Sequence, residues 1–446
     1  MDAPVRTPLR PVRTAAEEAL ALTLQATLDA EAGQGRIGEV RRAALDAFRA
    51  HGLPHRRVEE WKYTDLRAAV RDVPPLSTAP DAAAEAEALA LVPSVPDAAR
   101  ILFVAGAFAR GASDLAALPE GVAALPLDSA IAAADPLADR IGALSPDRYD
   151  AALALNTGFL KEGLTLHVDA GARVARPVHL AHAFPGGKPA AGFTRTVIVV
   201  GAGAEVTLVE SFSGTVGVAY HANHAMELVV GDGATVHLVR LQEEGDAALH
   251  LGTLMLEMGR GAKLNHFSLA QGAALSRFSV YGRFAGTGAQ GSLSGVTLAR
   301  GRQHADTTLL LDHAVAGCES RELFKTVLAD ASHGVFQGKI VVRRDAQKTD
   351  GRMMSKALLL SDAAEMDNKP ELEIFADDVQ CGHGATVGAL DDKMLFYLRS
   401  RGLPQAEAEL LLIQAFVGEA VEQVESEALR ELLMDRMVAW LAKRAA

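Results

Sequence analysis

The order of apolar and polar positions changes character twice along the chain. From residue 13 to 50, Ala and Leu recur at helical spacing, with Thr14 placed as an N-cap and Glu17 three residues on, the arrangement of a capping box. A second helix over about 36–50 is expected to stop at His51-Gly52, with Pro54 just beyond. In PHRRVEEWKYTDL (54–66), Thr64 is positioned to cap another helix and Trp61 reads as a packing anchor. Residues 76–100, rich in Ala and Pro, read as a loosely packed connection, and Ile101–Val104 as a short strand; 106–160 shows no decisive period.

Near Gly163 the texture changes to short β-type runs separated by Gly turns, and it keeps this form to about Gly388. One unit recurs: GARV at 171, GAEVTLV at 203, GATVHLV at 233, GAKLNHF at 261 and GAQGSL at 288, at intervals of 32, 30, 28 and 27 residues. A propeller blade needs about 40–50 residues, whereas the stacked coils of a parallel β-helix need fewer and bury a continuous row of Val, Leu and Ile. An antiparallel sandwich, with each Gly-Ala as a hairpin turn, is the competing arrangement; the β-helix is favoured. After Gly388 the pattern is helical: Asp391–Ser400, a stop and restart at Gly402 and Pro404, a stripe of Leu410, Ile413, Phe416, Val417, Ala420, Val421 and Val424, and a last helix over about 426–444. The predicted fold is mainly β, a parallel β-helix core (161–390) between an N-terminal helical and mixed region (1–160) and a C-terminal helical region (391–446).

Composition narrows the function classes. A net charge of −12 argues against a general nucleic-acid binder, which would need a basic surface. Two cysteines, Cys318 and Cys381, with no CxxC pair make a disulfide framework improbable and fit a reducing, cytoplasmic setting. The first residues lack the apolar core of an export signal, and no apolar run is long enough to span a membrane.

Two nucleotide-site mimics fail on inspection. VIVVGAGAEV (197–206) has Val206 where the third glycine of a dinucleotide turn belongs, and a strand follows instead of a helix. GVFQGKI (334–340) lacks the P-loop spacer and places Ile340 where Ser or Thr would hold Mg²⁺. The fourteen histidines, among them His221/His224 and His304/His313, show no metal-ligand spacing and are expected at surface or partly buried positions. DDVQCGHGATVG (377–388) differs: on a strand, Cys381 and His383 would project to one face, with Asp377 and Asp378 upstream. Thiolate and imidazole both suit iron, and a low-pKa thiolate can carry sulfur, but a cluster usually takes four ligands. The pair is therefore either structural or completed by a second chain.

At this segment the chain resembles a known family. KPELEIFADDVQCGHGATVG (369–388) and LFYLRSRG (395–402) are similar to the signature of the SufD branch of the SufB/SufD iron–sulfur cluster assembly family. So are VFQGKIVV (335–342), AQKTD (346–350), LLLSDAA (358–364) and EEWKYTDL (59–66). The SufB branch has more cysteines and lacks the CGHGAT form. Met353 and Met354, in a stretch more polar in relatives, and Leu403, where Ile is commoner, depart from the pattern without touching CGHGAT.

The resemblance implies a right-handed β-helix and a SUF complex in which the SufD-type subunit pairs with SufB and each binds the ATPase SufC. Sulfur would come from a cysteine desulfurase system, and a transient cluster or iron would sit at the SufB–SufD interface, with none stably bound to the chain alone. His383 maps to the histidine associated with that assembly site and is the candidate iron ligand; Cys381 is the motif's cysteine. The expected role is a scaffold without turnover of its own, a homodimer being one resting form, with Leu410, Ile413, Phe416 and Val417 as ATPase-docking candidates. The rival from another class, a β-helical carbohydrate-active lyase or esterase, would need paired carboxylates and aromatic platforms along a groove, and aromatics are only 5% of the chain.

Overall fold

The computed structural model describes residues 13–30 and 35–445. Residues 1–12, part of the stretch without an export-signal pattern, and 31–34, inside the expected helical run, lie outside the described residues. The chain divides into two compact units: the residues up to Val73 with Arg148–Phe159, and Pro74–Asp147 with Leu160–Ala446. The division thus differs from three consecutive regions, because 74–147 and the C-terminal helices belong with the β-helix.

In the first unit, helices Ala15–Ala30 and Gly35–His51 account for the predicted helical run. The capping box forms: the Thr14 N–H donates to Glu17 Oε2 at 2.7 Å and the Glu17 N–H donates to Thr14 Oγ1 at 3.2 Å. Gly52, with φ of 70°, ends the second helix, as only a residue free of Cβ strain does readily. Trp61 is buried as an anchor. The expected cap Thr64 is not one: Asp65 caps Leu66–Ala69 by accepting from the Ala68 N–H at 2.9 Å, while Thr64 is buried.

The second unit is a two-sheet parallel β-solenoid. Strands from Glu162–Val168 to Gln380–Gly388 alternate between a ten-stranded and a nine-stranded sheet, two per coil, giving about eight coils. Each pairs in parallel with the strand two further along; antiparallel pairing is confined to the N-terminal end, where Ala107–Phe108 and Val122–Pro126 close the two sheets. The sandwich alternative is thereby set aside.

The recurring Gly-Ala marks one corner of five successive coils. Gly171, Gly203, Gly233, Gly261 and Gly288 all have φ between 62° and 72°, and each N–H reaches a carbonyl of the next coil, as from Gly203 to Asp232 O at 2.8 Å. The following Ala204, Ala234, Ala262 and Ala289 point into the corner and are buried. Cys318, after Gly317, takes the same buried position, so this cysteine serves packing.

Two expectations before and after the solenoid need correction. The supposed loose connection holds a helix, Ala82–Leu91, capped by Asp81 and seated through Ala88 on Leu102, Val104, Ala181 and Ala183. Its alternating Ala and Glu gave no apolar stripe, yet small side chains suffice where a helix lies close on a sheet. At the other end, helices Asp392–Ser400, Gln405–Val421 and Glu427–Ala445 follow the predicted punctuation, with Asp391 as the first cap and Gly402 at φ of 93°. The last two cover the outer face of the ten-stranded sheet, packing on Val239, Phe267, Val296 and Val327.

Candidate functional site

Register places Cys381 and His383 at the ends of two longitudinal rows. One row runs Leu208, Leu238, His266, Leu293, Glu322, Met353, His383; its neighbour runs Val206, Val236, Leu264, Gly291, Ser320, Gly351, Cys381. Upstream members of both rows, from Val206 and Leu208 to Met353, lie in the solenoid core. Positions paired in parallel face the same side, so Cys381 and His383 project together, as their two-residue spacing predicts.

The difference lies in what stacks on them. Among the described residues, Gln380–Gly388 pairs only with Asp350–Leu359, and Glu365–Ile374 only with His333–Val342, so the last coil leaves both sheets with an open edge. His383 is consequently exposed, while Cys381 is half-buried and packs against the core. Burial pushes the Cys381 thiol up from its ordinary value, and the nearby carboxylates of Asp350 and Glu322 push the same way against a hydrogen bond from the Gly351 backbone. In this chain alone Cys381 is thus a thiol, and becoming a thiolate requires a cation or metal beside it.

Of the two acidic residues upstream, Asp378 is engaged in an exposed ion pair with Lys348. Asp377 is exposed. The sequence reading missed Glu322, which is buried in the His383 row beside Ser320. Burial raises its pKa to about 8, against weaker opposing pulls from the Ser320 side chain and the Arg321 charge. The signal was present: Glu322 shares parity with Phe324, which faces the core. An open groove of about 710 Å³ runs beside this edge, lined by Arg321, Glu322, Arg352, Met353, Cys381 and His383.

Eight of the fourteen histidines are exposed or partly buried, as expected, His221 and His304 among them; six are not. His179, His182, His224, His250, His266 and His313 are all buried inside the strands' pairing, not surface residues. Burial holds each below the ordinary imidazole range, His266 to about 3 and His313 to about 4. The docking candidates also change meaning. Ile413 and Val417 are buried against the sheet, and Leu410 and Phe416 are half-buried beside them, so most of this stripe is consumed within the chain. Exposed apolar side chains sit on Asp392–Ser400, at Met394, Phe396 and Tyr397, at Leu411 on the next helix, and at the last coil, at Ile374, Phe375 and Val387.

The fold is thus a parallel solenoid whose terminal coil presents a thiol and an imidazole beside two open strand edges. The chain belongs to the SufBD family of the SUF iron–sulfur cluster assembly system: the SufBD core domain matches residues 183–416 and the SufBD N-terminal region residues 25–180. It is 31% identical to the iron–sulfur cluster assembly protein SufD of Escherichia coli over 86% of this chain and 89% of that protein. A SufBD family protein of Synechocystis is 30% identical over 86% of each chain, and SufD of Bacillus subtilis is 28% identical over 63% of this chain and 64% of that one. Among the described residues, no helix is long and apolar enough to cross a membrane.

Proposed function

We propose that this chain is the SufD-type scaffold subunit of a SufB–SufC–SufD complex, contributing surface and ligands to cluster assembly without turnover of its own. The observation that carries the reading is the last coil, where the core rows end in Cys381 and His383 beside two open edges. A homologous solenoid, SufB, adds strands to those edges and closes the groove over the pair; a second copy of this chain could occupy them in its absence. Ile374, Phe375 and Val387 supply apolar area at that junction. Two ligands from this side then meet those of the partner, and the cluster or iron is cargo handed on from a desulfurase-fed sulfur supply.

SufC docks on the C-terminal helices in this reading. Met394, Phe396 and Tyr397 carry the contact, with Leu410 and Phe416 at its margin, because Ile413 and Val417 face the sheet. Removing everything from Pro404 would strip the cover from Val239 and Phe267, so Phe396→Glu is the cleaner test of docking. The deciding experiment is reconstitution with SufB and SufC. His383→Ala is expected to leave the complex intact on gel filtration while iron and sulfide content falls severely. Wild-type cluster content in that complex would remove the ligand role, and loss of the complex would make the residue structural.

A further inference from the structure

The solenoid interior is not uniform. Near the Gly-Ala corner it is apolar, but towards the opposite corner the inward positions of the first coils are His182, Glu210, His224, Arg240, Gln242 and His250, all buried. We propose that His182, Glu210 and His224 form a site for one divalent first-row transition-metal ion inside the solenoid, reached from a surface cleft through a file of buried polar side chains. This does not rest on the cluster-assembly reading and concerns the other end of the solenoid.

The three residues offer one ligand atom each, all within 4.8 Å of one another. Ligands around a shared ion at about 2.1 Å stand roughly 3.4 Å apart, so side-chain rotations of about 1 Å close the set. Two imidazoles and a carboxylate are the donor set of mononuclear iron and zinc sites. The atoms are also in need of partners. Among the described residues no hydrogen bond reaches His182 Nε2 or Glu210 Oε1, and His224 Nε2 has only Thr196 Oγ1 at 3.3 Å and Glu210 Oε1 at 3.4 Å. Each buried polar atom left without a partner is costly, and one ion would satisfy the three together.

Neighbours hold the set in place. The His182 ring lies stacked between Phe103 and Phe212, at 4.7 and 4.6 Å between centroids, which fixes its plane. Arg240 sits over the Phe212 and Phe278 rings and faces Glu210 through Oε2, leaving Oε1 towards His224. Its guanidinium opposes a cation, but Glu210 and Glu244 are two buried carboxylates against that one guanidinium.

A file of contacting buried polar side chains joins the site to a surface cleft. Glu244 is buried yet lines a cleft of about 710 Å³ under the last helix, with Asp246, Gln271, Arg300 and Trp440. Its Oε2 contacts His250 Nδ1 at 2.8 Å and accepts from Gln242 Nε2 at 2.9 Å, and His250 in turn meets Arg240. Further unpartnered oxygens, Gln242 Oε1, Glu244 Oε1 and Gln271 Oε1, mark this line as a polar route from surface to site.

The test uses the full-length chain, stripped with chelator and equilibrated to constancy with Co²⁺ or Zn²⁺, with metal content and the Co²⁺ ligand-field spectrum as readouts. The wild type and a Cys381→Ser/His383→Ala double variant are both expected to hold one equivalent, with a spectrum free of thiolate charge transfer. Glu210→Gln keeps shape and volume and is expected to weaken binding at least tenfold; His224→Gln should do the same. Circular dichroism and melting of Glu210→Gln verify the fold, so the result stands even if the histidine variant does not fold. Less than stoichiometric metal on the wild type overturns the proposal. So does metal that survives Glu210→Gln, or metal that is lost in the double variant.

Discussion

His266 and His383 occupy the same row of the same sheet, four coil positions apart, and differ in every property that matters. His266 is stacked on by coils from both sides, stacks on the Phe278 ring at 5.6 Å, and has its pKa pushed to about 3 by burial. His383 has a coil on one side only and is exposed. A solenoid therefore turns one inward position into either a core residue or a surface residue, according to whether another coil follows. That is the physical basis for placing a binding site at the end of such a fold: the terminal coil displays groups that every earlier coil hides.

This contrast predicts unequal responses to the same kind of change. Leu293→Asp, in the middle of the row, puts an unpaired charge in a fully packed core and should cost more than about 4 kcal/mol, seen as loss of the folded circular dichroism signal. Val387→Asp, exposed on the last coil, should change stability by less than about 0.5 kcal/mol. Equal melting temperatures for the two would break the comparison.

The histidines should behave in opposite senses. His266→Ala removes a buried ring and should cost about 2–3 kcal/mol by urea titration. His383→Ala should leave the urea midpoint unchanged within about 0.5 kcal/mol while removing cluster content from the reconstituted complex. Cys381→Ser should be milder on cluster content if the thiol only supports His383, and as severe if it binds iron or passes sulfur.

Glu322, between them in the row, sharpens the contrast through pH. Its folded pKa is raised to about 8, whereas an unfolded carboxyl titrates near 4.3. The folded state thus favours the protonated form. Its penalty is absent below about pH 4, grows as pH rises to about 8 and is constant above that. Glu322→Gln should therefore raise the melting temperature by several degrees near pH 8.5 and leave it unchanged near pH 4. A constant difference across that range would show that Glu322 is not buried as a neutral acid. The smallest effect is expected for Val387→Lys: no change in monomer melting, but weaker association with SufB if that edge is the pairing surface.

Much of this architecture was legible in the residues. The Gly-Ala period reported the corners directly, because a positive φ and a close cross-coil hydrogen bond at each corner favour glycine, and a crowded interior admits only a small side chain next to it. Thr14 with Glu17 marked a helix start through local hydrogen bonding, Gly402 and Pro404 marked a stop and restart through backbone conformation, and the two-residue spacing of Cys381 and His383 put them on one face. What the tertiary structure decided is which distant residues meet. His182, Glu210 and His224 are separated by 28 and 14 positions, and coils of 27 to 32 residues give no fixed interval from which to predict their meeting. Likewise, nothing in the stripe of Leu410, Ile413, Phe416 and Val417 distinguishes a helix that docks a partner from one that covers its own sheet. Short-range hydrogen bonding and side-chain size write turns and caps into the sequence, whereas burial is a property of what stacks on a residue, and that is settled only when the coils are in register.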